Sequence, residues 1–223
     1  MLQSKKPTVG VLALQGAVRE HIRSLEDCGA RGVAVKYPSE LCLCEGFVIP
    51  GGESTTIGRL MREYGFIEEI KRLAGEGMPI YGTCAGLILM AQRLTEGEQP
   101  LLGLMDITVR RNAYGRQVDS FETDLRVKGI QDEERPFRAV FIRAPWIEEV
   151  GKEVEVLAVH RGKVVAAKQE NLLVTAFHPE LTSDGRVHML FLRMVMEGGP
   201  PSRHKDPDAI REEISSVEGG IKR

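Results

Sequence analysis

Met78-Pro79-Ile80-Tyr81-Gly82-Thr83-Cys84-Ala85-Gly86-Leu87-Ile88-Leu89-Met90 reads as a short strand, a tight turn carrying a thiol, and a helix. Apolar Ile80 and Tyr81 behind Pro79 suit a buried strand. Gly86-Leu87-Ile88-Leu89-Met90-Ala91 begins a good helix former, so the chain must reverse between Gly82 and Gly86. Gly-x-Cys-x-Gly is the cysteine counterpart of the Gly-x-Ser-x-Gly elbow, where a strained nucleophile at a strand-to-helix corner tolerates only small neighbours. The unpaired N–H groups of the following helix face such a corner and favour the thiolate, the reactive form of a cysteine. The plain alternative is a buried structural cysteine, since free cysteine is among the most buried residue types. The stretch alone does not choose between them.

Upstream of it the pattern is strand and helix in alternation. Thr8-Val9-Gly10-Val11-Leu12-Ala13-Leu14 is an apolar run of strand length, followed by Gln15-Gly16 and an amphipathic helix from Ala17 to about Cys28, closed by Gly29. Gly32 to Lys36 and Glu45 to Ile49 read as further strands, the latter running into Pro50-Gly51-Gly52-Glu53-Ser54-Thr55-Thr56. Apolar residues at Ile57, Leu60, Met61, Tyr64, Ile67, Ile70 and Leu73 predict one helix from about Thr55 to Ala74. Near-continuous apolar strands separated by helices predict an α/β fold: three layers, a mainly parallel central sheet with helices on both faces. In such sheets sites form at the carboxyl ends of strands, so Gln15-Gly16, Gly51-Gly52-Glu53 and Cys84 should share one edge.

Downstream of Gln99 the texture changes. Ile107 to Val109, Phe121 to Val127, Ala139 to Ile142, Val154 to Val159, Lys163 to Ala167 and Leu172 to Phe177 are short strand-like runs with polar turns, which predicts a largely antiparallel region in the second half. His160-Arg161-Gly162-Lys163 is a hairpin turn by composition. Gly185 to about Met196 reads as a closing helix. The organisation expected is one domain over residues 1–197 and a Gly/Pro-rich, then charged, tail over 198–223, with one short helix opened by Asp206-Pro207.

Composition narrows the function. With 30 basic against 32 acidic residues the chain carries a net charge of −2, and without a basic patch the phosphate-neutralising contribution to nucleic-acid binding is missing. No apolar run reaches the ~18 residues of a membrane span, and Met1 to Pro7 is too short and polar for a secretory signal. A cytoplasmic protein is expected. Cys28, Cys42, Cys44 and Cys84 show neither Cys-x-x-Cys spacing nor disulfide-scaffold density, so reduced thiols are expected. Cys42 and Cys44 lack a nearby partner at zinc spacing and read as packing residues near a strand.

A nucleophilic cysteine needs a histidine to accept and return its proton, and that histidine needs a partner that fixes its tautomer. His178 and Glu180 follow an apolar strand at the predicted sheet edge. In extended chain residues two apart point the same way, so the Glu180 carboxylate is expected beside the imidazole it orients. His21, His160, His188 and His204 read as surface or core-satisfied histidines. The diglycine Gly51-Gly52 lets backbone approach a ligand closely, which makes the Gly52 N–H one candidate oxyanion donor and the Ala85 N–H, next to the nucleophile, the other.

Gly-x-Cys-x-Gly, a later His-x-Glu and a Pro-Gly-Gly loop before the elbow resemble class I triad glutamine amidotransferases. Leu14-Gln15-Gly16-Ala17-Val18-Arg19-Glu20-His21, Pro50 to Thr56, Gly82 to Leu87, Arg111 to Glu122, Phe141 to Pro145 and Phe177 to Thr182 bring the resemblance to one branch, the glutaminase subunits of pyridoxal 5′-phosphate synthase. It spans about residues 8–197 and leaves the tail without a counterpart. The resemblance implies a flavodoxin-like amidotransferase fold and hydrolysis of L-glutamine to glutamate and ammonia. It implies a catalytic set of Cys84, His178 and Glu180, with no metal or organic cofactor. It also implies delivery of ammonia to a separate synthase subunit, with control by that partner. Glutamine contacts are implied for Gly51, Gly52, Glu53, Arg111, Ile142 and Arg143. A carboxylate suits an α-ammonium and an arginine an α-carboxylate, but which side chain meets which end stays open. Gln15 and Gly16 are expected to face the partner. The competing readings are a subunit feeding another synthase, such as that of histidine biosynthesis, and a catalytically silent binding subunit on the same fold.

Overall fold

The structure is a computed structural model and describes residues 6–111 and 120–198. In chain order the first half comprises β1 (Thr8–Leu12), α1 (Val18–Asp27), β2 (Arg31–Val35), a 3-10 segment (Pro38–Leu43), β3 (Gly46–Ile49), α2 (Ser54–Glu63), α3 (Phe66–Gly75), β4 (Ile80–Thr83) and α4 (Ala85–Met90). There follow β5 (Ala91–Leu94), β6 (Met105–Arg110), β7 (Ser120–Leu125), β8 (Phe137–Ile142), β9 (Trp146–Val150), β10 (Glu155–His160), β11 (Lys163–Gln169), β12 (Leu172–Thr175), a 3-10 turn (Pro179–Leu181) and α5 (Arg186–Gly198).

Among the described residues the main sheet runs β2-β1-β3-β4-β12-β11-β9-β6-β5, with β10 paired to β11, and β7-β8 forms a separate two-stranded sheet. The half from β2 to β12 is parallel throughout. Beyond β12 the pairings are antiparallel until β5 and β6 lie parallel at the far edge. Both expected textures therefore occur in the main sheet, with β7-β8 as a further antiparallel pair. Register decides the site: Thr83 of β4 lies opposite Thr175 of β12, so the two strands end level.

Helices cover both faces, as alternation along β4 shows. Neighbouring residues of a strand point to opposite faces. The Tyr81 ring lies against His188 and Phe191 of α5, whereas a Cβ placed on Gly82 would sit 2.7 Å from Met90 Sδ of α4. The second face is closed by α2 against α4, where Gly58 sits beside Leu89. The first is closed by α1 against α5, joined through His21 and His188. Arg186, at the start of α5 and 5% exposed, donates to the carbonyls of Asp132, Arg135 and Pro136 and pairs with Asp184. It thereby ties the connection after β7 to α5 and fixes β8 beside the end of β12.

Some expectations fail for local reasons. The single helix expected from Thr55 to Ala74 is two helices, because Gly65 adopts φ +76° and Phe66 restarts the apolar stripe on a new axis. The helix after Cys84 stops at Met90, where Ala91 turns extended (φ −64°, ψ 149°) to begin β5. The strands β5 and β9 carry the polar runs Gln92-Arg93 and Glu148-Glu149 and gave no alternation strong enough to predict them. The expected turn of the β10-β11 hairpin is present, with Arg161 at φ +49° and Gly162 at φ +75°, the signs of a two-residue type I′ turn. The expected tail helix, His204 and the run Asn112 to Asp119 lie outside the described residues.

Two outcomes follow from this packing. A Cβ on Gly86 would sit 2.1 Å from the carbonyl oxygen of Ile49, a backbone atom that cannot yield cheaply. Gly86→Ala is therefore expected to cost about 1–3 kcal/mol or more, read as a lower urea midpoint at unchanged slope. His188 is fully buried, and burial, reinforced by His21 and opposed by Glu180, lowers its pKa to about 3. Unfolded histidine titrates near ~6.5, so the unfolded chain binds the extra proton below that pH. The stability from keeping His188 neutral is thus present above ~6.5 and lost as pH falls toward about 3. Denaturation at pH 7 and pH 4.5 should differ less for His188→Gln than for the wild type.

Candidate active site

Cys84 occupies the corner between β4 and α4 with φ +49° and ψ −96°, a conformation that costs a non-glycine residue roughly 1–3 kcal/mol. Three features hold it there. Its N–H donates to the Thr175 carbonyl at 2.8 Å, and the Ile88 N–H donates to the Cys84 carbonyl at 3.2 Å as α4 begins. Backbone contact closes the corner, since a Cβ on Gly82 would fall 2.6 Å from the Gly86 carbonyl carbon. The small neighbours of the motif are therefore steric necessities. Cys84 is 8% exposed, its thiol points to the Ile142 carbonyl of β8 at 3.9 Å, and it lies near enough to His178 to favour the charged imidazolium.

His178 lies three residues past the end of β12, and the level register brings it to a thiol one residue past the end of β4. Its N–H donates to the Val140 carbonyl at 2.8 Å, which anchors the segment to β8. Its Nδ1 meets Glu180 Oε1 at 2.7 Å, so this side-chain pair is joined as the sequence suggested. The route differs from the extended segment expected: Pro179–Leu181 is one turn of 3-10 helix, started by the fixed φ of Pro179, and His178 caps it. Burial disfavours the His178 imidazolium, but hydrogen bonds and charge from Cys84 and Glu180 outweigh it and raise the pKa to about 10. The Glu180 carboxyl is likewise opposed by burial, yet His21 and His178 together hold it below the usual carboxylate range. The resulting line is a thiol, an imidazole inclined to hold a proton, and a buried carboxylate.

The glycine loop closes over this line. Gly51 packs against the imidazole so tightly that a Cβ would sit 2.3 Å from His178 Cε1. The Ala17 N–H donates to the Gly51 carbonyl at 3.1 Å, and the Glu53 N–H donates to Gln15 Oε1 at 2.8 Å. In a planar trans peptide the Gly52 N–H points opposite to that anchored carbonyl, away from Ala17. Gln15 and Gly16 are exposed and touch this loop, as their shared sheet edge predicted. The Glu53 carboxylate caps α2, accepting from Thr55 and Thr56 N–H at 3.2 and 2.7 Å. Slight burial opposes its charge, but these hydrogen bonds hold its pKa down. Glu53 thus already has a structural duty that the sequence reading did not assign.

The remaining candidates divide. Ala85 opens α4 directly after the nucleophile, and Ile142 touches the thiol through its carbonyl. Arg143 is exposed at the end of β8 with φ +43°. Arg111 follows β6, four places from β4 along the sheet, beside residues 112–119 that are not described. Sequence reasoning passed over His21, which is fully buried with Nε2 at 3.5 Å from Glu180 Oε2 and 3.1 Å from Thr83 Oγ1. A signal was present: Val18, His21, Ile22 and Leu25 share one face of α1, which places a histidine in an apolar stripe. Among the described residues no group of three or more His, Cys, Asp or Glu is arranged to hold a metal ion, and no helix is long and apolar enough to cross a membrane.

The fold agrees with that of the protein's relatives. The sequence profile of the SNO glutamine amidotransferase family matches residues 11–197. A pyridoxal 5′-phosphate synthase subunit PdxT of Niallia circulans is 58% identical over 189 residues, 85% of this chain and 98% of that protein. The protein of the same name from Bacillus velezensis is 52% identical over 203 residues, 91% of this chain and 99% of its own. A crystal structure of a glutamine amidotransferase superposes with a TM-score of 0.80 at 45% identity, covering 84% of this chain and 98% of that one. The chain belongs to the SNO glutamine amidotransferase family.

Proposed function

We propose that this chain hydrolyses L-glutamine to L-glutamate and ammonia and passes the ammonia to a separate synthase subunit that makes pyridoxal 5′-phosphate. The observation that carries the reading is the strained Cys84 in line with His178 and Glu180, in a chain whose relatives are named as subunits of that synthase. The Cys84 thiolate attacks the side-chain amide carbon. The Gly52 and Ala85 N–H groups receive the oxyanion, each such donor being worth about 2.7–4 kcal/mol in the transition state. The His178 imidazolium, held by Glu180, protonates the departing ammonia. Water then cleaves the thioester with His178 as base. Gly51, Gly52, Glu53, Arg111, Ile142 and Arg143 are the proposed glutamine contacts, and Gln15 and Gly16 the partner-facing residues. The reading puts the enzyme in the cytoplasm. It assigns residues 1–197 to the glutaminase domain and 198–223 to a charged tail beyond the family match.

Cys84→Ala and Cys84→Ser are expected to abolish ammonia release with circular dichroism unchanged, since both side chains are small enough for the corner. His178→Asn should remove most activity, and Glu180→Gln less, because orienting a base matters less than having one. Equal loss from His160→Asn, at the half-buried end of β10, would mean that another histidine is the base. Docking at the exposed Gln15-Gly16 edge acts directly on the Gly51-Gly52 peptide, because Gln15 and Ala17 hold that loop. Synthase binding is therefore expected to raise kcat far more than it lowers KM. Steady-state kinetics with and without the synthase check this, and equal kcat in both would show a site already complete.

A further inference from the structure

Behind the Cys84, His178 and Glu180 line lies a second pair of imidazoles that the chemistry above does not use. His21 of α1 and His188 of α5 are both fully buried, and their Nδ1 and Nε2 atoms meet at 3.1 Å. His21 turns its other nitrogen toward the Glu180 oxygen that His178 does not take: Nε2 lies 3.5 Å from Oε2, with Thr83 Oγ1 at 3.1 Å. Glu180 Oε2 and His188 Nδ1 are buried and have no hydrogen-bond partner. A buried carboxylate oxygen without a donor is costly, and at 3.5 Å the His21 nitrogen is the near group able to offset it through charge and dipole.

The two orphaned atoms fix the protonation pattern. Suppose His21 carries its proton on Nδ1. Then Nε2 aims a lone pair at the Glu180 carboxylate, and Nδ1–H donates to His188 Nε2. His188 must then hold its own proton on the orphaned Nδ1, leaving a buried donor unsatisfied. Suppose instead that His21 carries the proton on Nε2. The N–H then faces Glu180 and Thr83, His188 Nε2–H donates to His21 Nδ1, and the orphaned His188 Nδ1 is only an unused lone pair. The second arrangement resolves every contact but one. Burial keeps His21 neutral, opposed by Glu180, aided by His178 and opposed by Glu20 on its own helix. The edge of Tyr81 completes its surroundings.

We propose that His21 is a positioning residue of the active site: as the neutral Nε2–H tautomer, set by His188, it holds the second oxygen of Glu180 so that the first stays on His178. The proposal deepens the glutaminase reading and rests on it, since it assigns His21 to the line that reading uses. Its consequence is specific. Without that support the carboxylate is free to turn and to take up a proton, and its hold on the His178 imidazolium weakens. The His178 imidazolium is then held less firmly beside Cys84 and supports the reactive sulfur less well, with the binding of glutamine untouched.

The test uses the full chain and the rate at which iodoacetamide alkylates Cys84, followed by mass spectrometry of the Cys84 peptide from pH 5 to 9, so that no substrate is needed. In His21→Leu the rate at pH 7 should fall roughly tenfold or more, equivalent to about one pKa unit, with the profile moved to higher pH. His21→Gln, whose amide N–H replaces Nε2–H, should restore most of it at a similar melting temperature. In glutamine turnover with the synthase His21→Leu should lose kcat with KM within about twofold, and His21→Gln should recover most of that kcat. A wild-type alkylation profile for His21→Leu, or equal loss in Leu and Gln variants, overturns the proposal. Independently of any variant, nitrogen-15 NMR of labelled histidines should find His21 as the Nε2–H tautomer between pH 6 and 8. A charged ring or the Nδ1–H tautomer also overturns it. Failure of the wild type to hydrolyse glutamine would overturn the functional reading alone, because alkylation and tautomer are read without glutamine.

Discussion

Pairing of β4 with β12 is the constraint on which the site depends. These strands are far apart in sequence, yet they lie side by side and parallel, with Thr83 opposite Thr175. Parallel pairing ends both strands at the same edge, so whatever follows each one is brought together. A nucleophile follows one and a base follows the other. A slip of one residue would also turn every buried side chain of β12 to the wrong face. The register is therefore held by the core itself: Leu172 through Thr175 and Ile80 through Thr83 are buried at every position. Catalytic geometry here is a by-product of apolar burial on both faces of two strands.

The strain at Cys84 is supported in the same way. Its unfavourable backbone persists because the Thr175 carbonyl takes its N–H and because Gly82 and Gly86 pack too closely for side chains. Relaxing the corner would break a sheet contact and shift α4 from β3. Gly51 adds a third close approach, against the imidazole ring. Each glycine lets backbone stand where a methyl group would push the nucleophile, its base or the oxyanion loop out of line. The motif glycines are thus part of the site's geometry rather than simple turn formers.

Charge is organised around burial as well. Glu180 is 6% exposed and His178 is 7% exposed, so neither relies on water. Their charges are kept by each other and by the groups at either end, Cys84 on one side and His21 on the other. The exposed ion pairs, such as Arg138 with Glu122 and Asp124, contribute little by comparison because solvent screens them.

Read alone, the chain specified the alternation of strand and helix, the elbow at Cys84, the shared edge of Gln15, Gly51 and Cys84, and the pairing of His178 with Glu180. All of these follow from local signals: apolar runs, glycine spacing, and residues adjacent in sequence at strand ends. Tertiary structure alone decided which strands are neighbours. It also decided that Gly65 splits a helix, that the polar segments β5 and β9 join the sheet, that Glu53 caps α2, and that His21 and His188 stand behind Glu180. The physical reason is common to them. Periodicity reports which face of an element is buried, but not what it is buried against. A histidine in an apolar stripe therefore shows its burial in the sequence, while its partner, brought from a helix 167 residues away, is fixed only when α1 and α5 close over the sheet.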